Sequence, residues 1–502
     1  MRQVGFRNFR KFSNFETIDF APITIFVGEN NAGKSTVVKA ILSMLDFVNG
    51  RCFEMVHTED QDSVLKQYFY FNKSYFAHIG TFKRALYNKA ESGIIDFCLT
   101  LDYAKFDIEV EGDVNDEEAI NARINKLKIN LITWNIDLIF DFLEDDLMVF
   151  FHNSPSELFD NTIFPNIAKG TKTMKYYDSV PQDACLHFRI AGKQRMLGGP
   201  FVDWLLYMFC MSMDSLIDNL QKKNAELTES LRGCFELKSD ISEDTKNFLI
   251  KNRTILERYN LIGYPFMYTG GHENVEYIYA HAVTQTVIYS AKDTNDYFVK
   301  TIHEFANCRI EQNSSIYTFI IKWMKEFNIG IGYEIKSVGG EAHIVKIFAK
   351  DGTCVNLADK GMGSIQLMIL LFRLATKLYE QKPYNRRRGH IHNTIIIEEP
   401  EQNLHPKLQS KLAELFYEMN KDYDFMFLIE THSEYLIRKS QLIVKKIFNR
   451  KKSKNNTNPF KLYYFPSKGN PYEMKYKENG VFLNDFGTGF FDEAAKLTLD
   501  LL

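Results

Sequence analysis

The sequence predicts an α/β fold: a mixed central sheet built around a strand–glycine loop–helix unit, an antiparallel β layer beside it, and an inserted helical subdomain. Three observations predict it. The apolar run 23–27 is followed by a glycine loop and at once by a helical pattern, with Val37, Val38, Ile41, Met44 and Leu45 on one face. Residues 50–190 then alternate short strand candidates with polar connections. Residues 200–260 turn helix-rich, with few β-branched runs.

Within the first unit, residues 28–36 read Gly-Glu-Asn-Asn-Ala-Gly-Lys-Ser-Thr. Gly28 and Gly33, separated by four residues and followed by Lys34 and Ser35, fit the P-loop pattern in the strand–loop–helix context it requires. Glycines let successive backbone N–H groups turn inward around phosphate oxygens, and the helix N-terminus adds partial positive charge there. Lys34 is placed to reach the β- and γ-phosphates as a point charge, and the Ser35 hydroxyl to meet Mg²⁺. Asn30, Asn31 and Thr36 complete the loop. A plain Gly/Asn turn would not need all four fixed residues at once. The motif implies nucleotide binding, with ATP and Mg²⁺ as the expected cofactors.

Upstream, residues 3–20 carry short alternating runs that read as strands leading to the loop strand. Arg10, Lys11 and Phe12 either stack on a base or neutralise phosphate, or form a strand edge with a solvated Lys and a core Phe. The clearest strands of the β layer are 94–101, 147–151 and 185–190, and 113–125 reads as a charged, exposed segment. A glutamine sensing Mg²⁺ and the γ-phosphate is sought between 60 and 85, where Gln61 and Gln67 have no distinguishing context. Helices are expected at 201–210, 212–222, 228–237 and 244–258. The chain is accordingly divided into an ATPase lobe over 1–190, a helical insertion for dimerisation or partner docking over 191–262, and a second ATPase lobe over 263–502. No heptad pattern is sustained long enough for an extended coiled coil.

The second lobe opens with a strand over 273–282. His281 and Gln285 follow at its end, as nucleotide-lining, interfacial or simply buried polar groups. Helices near 295–307 and 314–327 precede a hairpin over 332–357, with turns at Gly339-Gly340 and Asp351-Gly352. Asp-Lys-Gly-Met-Gly-Ser-Ile-Gln at 359–366 places Gly361, Gly363 and Ser364 just before an apolar helix, a second small-residue helix start suited to phosphate.

Residues 394–400, Thr-Ile-Ile-Ile-Glu-Glu-Pro, are an apolar strand ending in two acids. Adjacent carboxylates there are costly to desolvate and repel each other, so packing alone does not explain them. This is the Walker B arrangement: Glu398 is assigned to the Mg²⁺ side and Glu399 to polarising the attacking water. A helix with a stripe of Leu404, Leu408, Leu412, Leu415, Phe416 and Met419 follows. A further apolar strand, 425–429, then ends in Glu-Thr-His-Ser, putting His432 where it can contact the γ-phosphate and hold the water.

Composition narrows the class. The chain has 502 residues, and 45% apolar with 25% charged residues is ordinary for a water-exposed globular protein. A net charge of −3 is not the footprint of a strongly basic nucleic-acid binder. Seven scattered cysteines without C-x-x-C spacing suit reduced thiols. The N-terminus has no apolar signal core and no stretch reaches membrane-span length, so a cytoplasmic location and no membrane contact are expected. Basic runs at 386–388 and 445–454 are either DNA contacts or solvated faces, and 451–459 reads as a polar loop.

In the order GENNAGKST (28–36), DKGMGSIQ (359–366), IIIEEPEQNLHP (395–406) and IETHSEYLIRK (429–439), the chain resembles an ATP-binding-cassette ATPase of the SMC-like head class. The four segments correspond to Walker A, signature loop, Walker B with D-loop, and switch histidine. Within that class it is similar to the stand-alone ATPases of bacterial anti-phage systems, above all the Septu (PtuA-type) ATPases, also found in some retron operons. The overcoming-lysogenisation-defect nucleases share this ATPase head. YIYAHAVTQ (277–285) and GTGFFDEA (487–494) are further, weaker points of similarity. The resemblance covers roughly 1–110 and 265–502. The chain departs from the pattern in Glu398 for the usual aspartate, in Gly-Met-Gly-Ser for Ser-Gly-Gly, and in Ala282 where an arginine is usual.

The resemblance implies a homodimer or higher homo-oligomer with two composite sites. ATP on one chain's P-loop would be completed by Gly363 and Ser364 of the other, so nucleotide shifts an open–closed equilibrium. The segment after His432 is too short for the metal-binding domain of the overcoming-lysogenisation-defect nucleases, and no HNH-like ligand cluster is visible in the sequence. The effector is therefore expected to be a separately encoded, HNH-type nuclease partner. Two rivals stay open: a repair or recombination ATPase acting directly on DNA, and an ATPase that sequesters a toxin until infection.

Overall fold

In the computed structural model the chain divides into two units, Met1–Phe20 with Gly33–Glu273, and Ala21–Ala32 with Asn274–Leu502. The structure describes residues 1–49, 53–56, 66–74, 77–102, 104–132, 135–152, 180–181, 184–190, 201–221, 235–253, 274–278, 287–290, 296–381, 393–449, 457–487 and 490–501.

Period-two alternation builds the first unit. Strands β1 (Gln3–Phe9) and β2 (Phe12–Asp19) form a hairpin, while β3 (Ile23–Gly28) belongs to the second unit. Helix α1 (Lys34–Val48) returns the chain to the first. There follow β4 (Phe53–Val56), β5 (Lys66–Tyr70), the single turn α2 (Phe82–Ala85), β6 (Ile94–Thr100), β7 (Ala104–Glu111), β8 (Asn121–Leu131), β9 (Ile136–Asp141), β10 (Asp146–Phe151) and β11 (Cys185–Ile190). Helix α3 (Phe201–Gln221), β12 (Phe235–Leu237) and α4 (Glu243–Lys251) complete it. The sheet order is β12-β11-β10-β9-β8-β7-β6-β1-β2, with β5 on β8 and β4 on β5, and every pairing among the described residues is antiparallel. Strand β7 shows why one face is buried: Ala104, Phe106, Ile108 and Val110 point in, and the residues between them do not. Phe47 of α1 stacks on Phe69 of β5, with ring centroids 5.7 Å apart, and Phe69 stacks on Phe97 of β6 at the same distance.

Several elements differ from the sequence-based expectation. The helices expected at 201–210 and 212–222 are one continuous helix, α3, because Met211 and Ser212 interrupt neither its apolar face nor its backbone bonding. Of the helix expected at 228–237 only 235–237 are described, and they form β12, which pairs with β11 through Phe188↔Leu237 and Ile190↔Phe235. That pairing ties the 191–262 segment to the antiparallel sheet, and the segment falls inside the first unit. The segment 113–125 is exposed only in its first part. From Asn121 it is strand β8, with Ala122, Ile124 and Asn125 buried.

Strands of the second unit are apolar nearly throughout, as strands covered on both faces are. They are β3, β13 (Asn274–Ile278), β18 (Asn393–Glu398), β19 (Met426–Glu430) and β20 (Phe460–Phe465), in the order β13-β18-β19-β3-β20, all parallel. The antiparallel edge strand β21 (Tyr472–Glu473) makes the sheet mixed. All six residues of β3 and all five of β19 are buried. A smaller sheet holds β14 (Tyr289–Ser290), β15 (Gly332–Val338), β16 (Ala342–Phe348) and β17 (Cys354–Asn356), turning at Gly339-Gly340 and Asp351-Gly352 as expected.

The helices of this unit are α5 (Tyr297–Asn307), α6 (Ser315–Glu326), α7 (Met362–Glu380), α8 (Pro406–Tyr423), α9 (Glu434–Asn449) and α10 (Glu493–Asp500). The α8 stripe buries Leu412, Leu415, Phe416 and Met419, with Phe416 against Phe427 of β19 at 4.9 Å. A buried ionic knot ties α7 to β13 and α5: Arg373 takes both carboxylate oxygens of Glu276, at 2.6 and 2.5 Å, and also reaches Glu304. Those carboxylates hold the guanidinium above its usual range against the cost of burial. The motif near 487–494 closes an aromatic cluster in which Phe486, Phe490 and Phe491 surround one another and Tyr464.

Candidate functional site

Ligands of parallel sheets collect at the carboxyl ends of the strands, and the acidic and histidine candidates of the second unit lie there. Strands β18, β19 and β3 are adjacent and in register: Glu398 is level with Glu430, and Glu430 with Phe26. The residues that follow are Glu399, then Thr431 and His432, then Val27 and Gly28.

Glu399 donates its backbone N–H to the Glu430 carbonyl at 2.7 Å, which extends the ladder by one step. It then leaves the strand at φ +45°, a left-handed conformation rarely adopted by a non-glycine residue. Gln402 donates its side-chain amide to Glu399 Oε2. His432 Nε2 lies 4.0 Å from Glu399 Oε1, and both side chains are about one third exposed. The structure thus brings Glu398, Glu399 and His432 to one edge.

Two contacts bring the start of α7 to the same edge. Gly361 caps the helix, and Gly363 and Ser364 lie in its first turn. A Cβ added at Gly363 would lie 2.5 Å from the Asn403 carbonyl oxygen, and Asn403 Nδ2 donates to Gln366 Oε1 at 3.3 Å. Gln366 and Glu398 also border a cavity of about 30 Å³, room for one water.

Sequence reasoning gave Glu401 no role. It is 8% exposed, and its Oε1 accepts the backbone N–H of His432 at 2.7 Å. Burial pushes its carboxyl up, and the His432 N–H pulls it partly back. The signal was available as a third acid two residues after the Glu-Glu pair. Its partner, thirty-one positions away, was not. Around it, Thr431 donates its N–H to Phe26 O at 3.0 Å. The Ser433 hydroxyl donates to Gln409 Oε1 at 2.6 Å and accepts the Leu436 N–H at 3.1 Å, capping α9.

By the division into two units, residues 28–32 of the loop belong to the second and 33–36 to the first. On the second-unit side, Gly28 has φ +145°, and an added Cβ would fall on the Phe465 carbonyl of β20, so only glycine fits. Asn30 and Asn31 are exposed, and Asn31 has φ +58°. On the first-unit side, Gly33 opens α1 at φ +106°, and an added Cβ would meet the Phe12 ring at 2.5 Å. Lys34 and Thr36 are buried and Ser35 is exposed. Phe12 is a core residue packed on Phe15, with centroids 5.1 Å apart. Gly28, Asn31 and Gly33 all have positive φ, the backbone conformation from which phosphate-binding nests are built. The hydroxyl of Ser35 and the carboxylate of Glu398 are each oxygen donors of the kind Mg²⁺ takes.

Gln67 is 1% exposed on β5, with neither amide atom hydrogen-bonded among the described residues. Gln61, His281, Gln285 and the basic run 386–388 lie outside the described residues.

The AAA ATPase domain family matches residues 1–437, most of the chain. The chain belongs to that family. The AAA ATPase so identified has the P-loop ATPase fold that the sequence predicts, with a mixed sheet and a large antiparallel layer. Its family chemistry is ATP hydrolysis, typically with Mg²⁺. It is similar to the SMC head domain from Thermotoga maritima at 10% identity, over 96% of this chain and 97% of that one, with a TM-score of 0.32. It is similar also to the Smc head domain with an extended coiled coil bound to the C-terminal domain of ScpA, derived from Pyrococcus furiosus, at 12% identity, over 100% and 98%, with a TM-score of 0.35. No curated protein matches the sequence. No helix among the described residues is long and apolar enough to cross a membrane.

Proposed function

We propose that this AAA ATPase is a nucleotide-driven switch of the SMC-head kind that dimerises through its heads. In this reading it is the sensor and regulatory scaffold of an anti-phage system and controls a separately encoded, HNH-type nuclease. The observation that carries the catalytic assignment is the meeting of Glu398, Glu399 and His432 at the carboxyl edge of β18 and β19, beside the strand that leads into the P-loop. The defence role is supported by the resemblance of the four motifs to the Septu ATPases.

Each residue has a stated part. Main-chain N–H groups of the glycine loop cradle the phosphates, and Lys34 places its ammonium on the β- and γ-phosphate oxygens. Ser35 and Glu398 are the residues that would hold Mg²⁺, and the metal would supply neutralisation of phosphate charge. Glu399 takes up the proton of the attacking water, with its carboxylate steadied by Gln402. His432 Nε2, close to that carboxylate, contacts the γ-phosphate. Gly361, Gly363 and Ser364 close over the nucleotide of the second protomer. The exposed Met362 and the open space around Gly361 are consistent with a surface left for that purpose. Loss of the γ-phosphate on hydrolysis then releases the clamp.

Purification of the tagged chain from cells expressing its whole operon tests the scaffold role. A nuclease should co-purify with it, more strongly with ATP. Recovery of this chain alone, with and without ATP, would remove the nuclease partner from the proposal.

A further inference from the structure

We infer that Glu401 is a positioning residue for hydrolysis, setting the place of His432 relative to Glu399. The inference rests on the roles proposed above for those two residues. The bond from the His432 backbone N–H to Glu401 Oε1 is 2.7 Å long, and it fixes the main chain of His432 itself. Of its neighbours, Thr431 donates its N–H to the Phe26 carbonyl at 3.0 Å, and its hydroxyl, which accepts the Ser433 N–H at 3.0 Å, also bonds the Glu401 carboxylate. Glu401 thus grips His432 at its backbone N–H.

The same short turn grips Glu399. The Gln402 N–H bonds to Glu399 O and the Leu404 N–H to Glu401 O, both at 3.1 Å, while the Gln402 amide holds the Glu399 carboxylate. Its far side is closed by α7, where Gly363 leaves no room for a Cβ against Asn403 O. One braced turn therefore places both groups that act on the water. A buried carboxylate is an expensive way to fill space, since an apolar side chain of similar volume costs less to desolvate. Its hydrogen bond across to the next strand's loop gives the carboxylate a purpose that packing does not.

Two variants of the full-length chain separate positioning from packing. Glu401→Gln keeps an oxygen that accepts the His432 N–H. Glu401→Met fills the space without an acceptor. In steady-state ATP hydrolysis, Glu401→Gln should hold kcat within about threefold of the parent. Glu401→Met should lose about a hundredfold in kcat with KM for ATP within about threefold, the scale expected when a reacting group is misplaced by ~1 Å. Equal kcat for Glu401→Met and the parent overturns the inference, as does a KM that rises in step with the fall in kcat. If Glu401→Met does not fold, Glu401→Asp keeps the charge, draws the carboxylate back by one methylene, and should show the same kcat loss. Lys34→Ala is measured alongside. Normal ATP binding by Lys34→Ala would overturn the nucleotide-site reading itself. Loss of ATP binding there, with parental turnover by the Glu401 variants, would overturn only the role of Glu401.

Discussion

Helices α1 and α7 both open on glycine, yet what holds each glycine differs. At α1 the cap is Gly33, left-handed at φ +106° and with the Phe12 ring where a Cβ would go. Gly28, five residues earlier, is equally confined by the Phe465 carbonyl. At α7 the cap is Gly361, with an ordinary φ of −62° and nothing within 4 Å of an added Cβ. The constraint comes two residues later, at Gly363, and is set by Asn403 of the Walker B turn. In the P-loop the glycines serve the shape of the backbone. In the signature segment one glycine serves packing inside its own chain, and the other leaves a surface open. Gly363, read from sequence as a contact to a second chain's nucleotide, has a sufficient reason within its own protomer.

The contrast yields predictions of decreasing size. Lys34→Ala should weaken ATP binding by more than about a hundredfold in titration calorimetry, because a charge-assisted phosphate contact is lost. Unchanged affinity would mean that the loop at α1 is a turn and nothing more. Glu399→Gln should lower kcat by about a hundredfold, the usual scale for a lost general base, while ATP binding stays intact. It should also hold an ATP-dependent dimer in light scattering, and turnover at the parental rate would assign the water to another group. Gly28→Ala should cost about 2–4 kcal/mol in denaturant unfolding, since left-handed strain and a backbone clash coincide there.

The smallest effects sharpen the α7 side. Gly363→Ala should cost about 1–2 kcal/mol through its clash with Asn403 O. Gly361→Ala should change stability by less than about 0.5 kcal/mol, as surface substitutions do, yet weaken ATP-driven dimerisation. If both variants lose stability equally, the distinction between a packing glycine and an open one fails.

Where chemistry and structure share a contiguous stretch, the sequence was legible. The glycine loop after β3, the apolar run of β18 with its two acids, and the stripe of α8 each lie within one local pattern. Strand β12 was not legible, because three residues make no period and its strand state depends on β11. The start of β8 was hidden by polar residues whose partners lie well away from them along the chain. Asn125 donates to Glu109 and Glu111, at 3.3 and 3.0 Å, and Arg123 donates to the Phe142 carbonyl at 3.2 Å. Glu401 was passed over for the same reason, its role being a bond to a residue on the loop after another strand.

The sequence by itself determined the glycine loop before α1, the paired acids at the end of β18 and the ATPase class, because each is carried by residues close in order. Only the tertiary structure decided that β3, near the start of the chain, lies between β19 and β20 near its end. It alone decided that Glu399, Glu401 and His432 meet across two loops, and that Gly363 is pressed by Asn403. Those relations are hydrogen bonds and close contacts between distant positions, and no periodicity along the chain records which strand will be the neighbour of which.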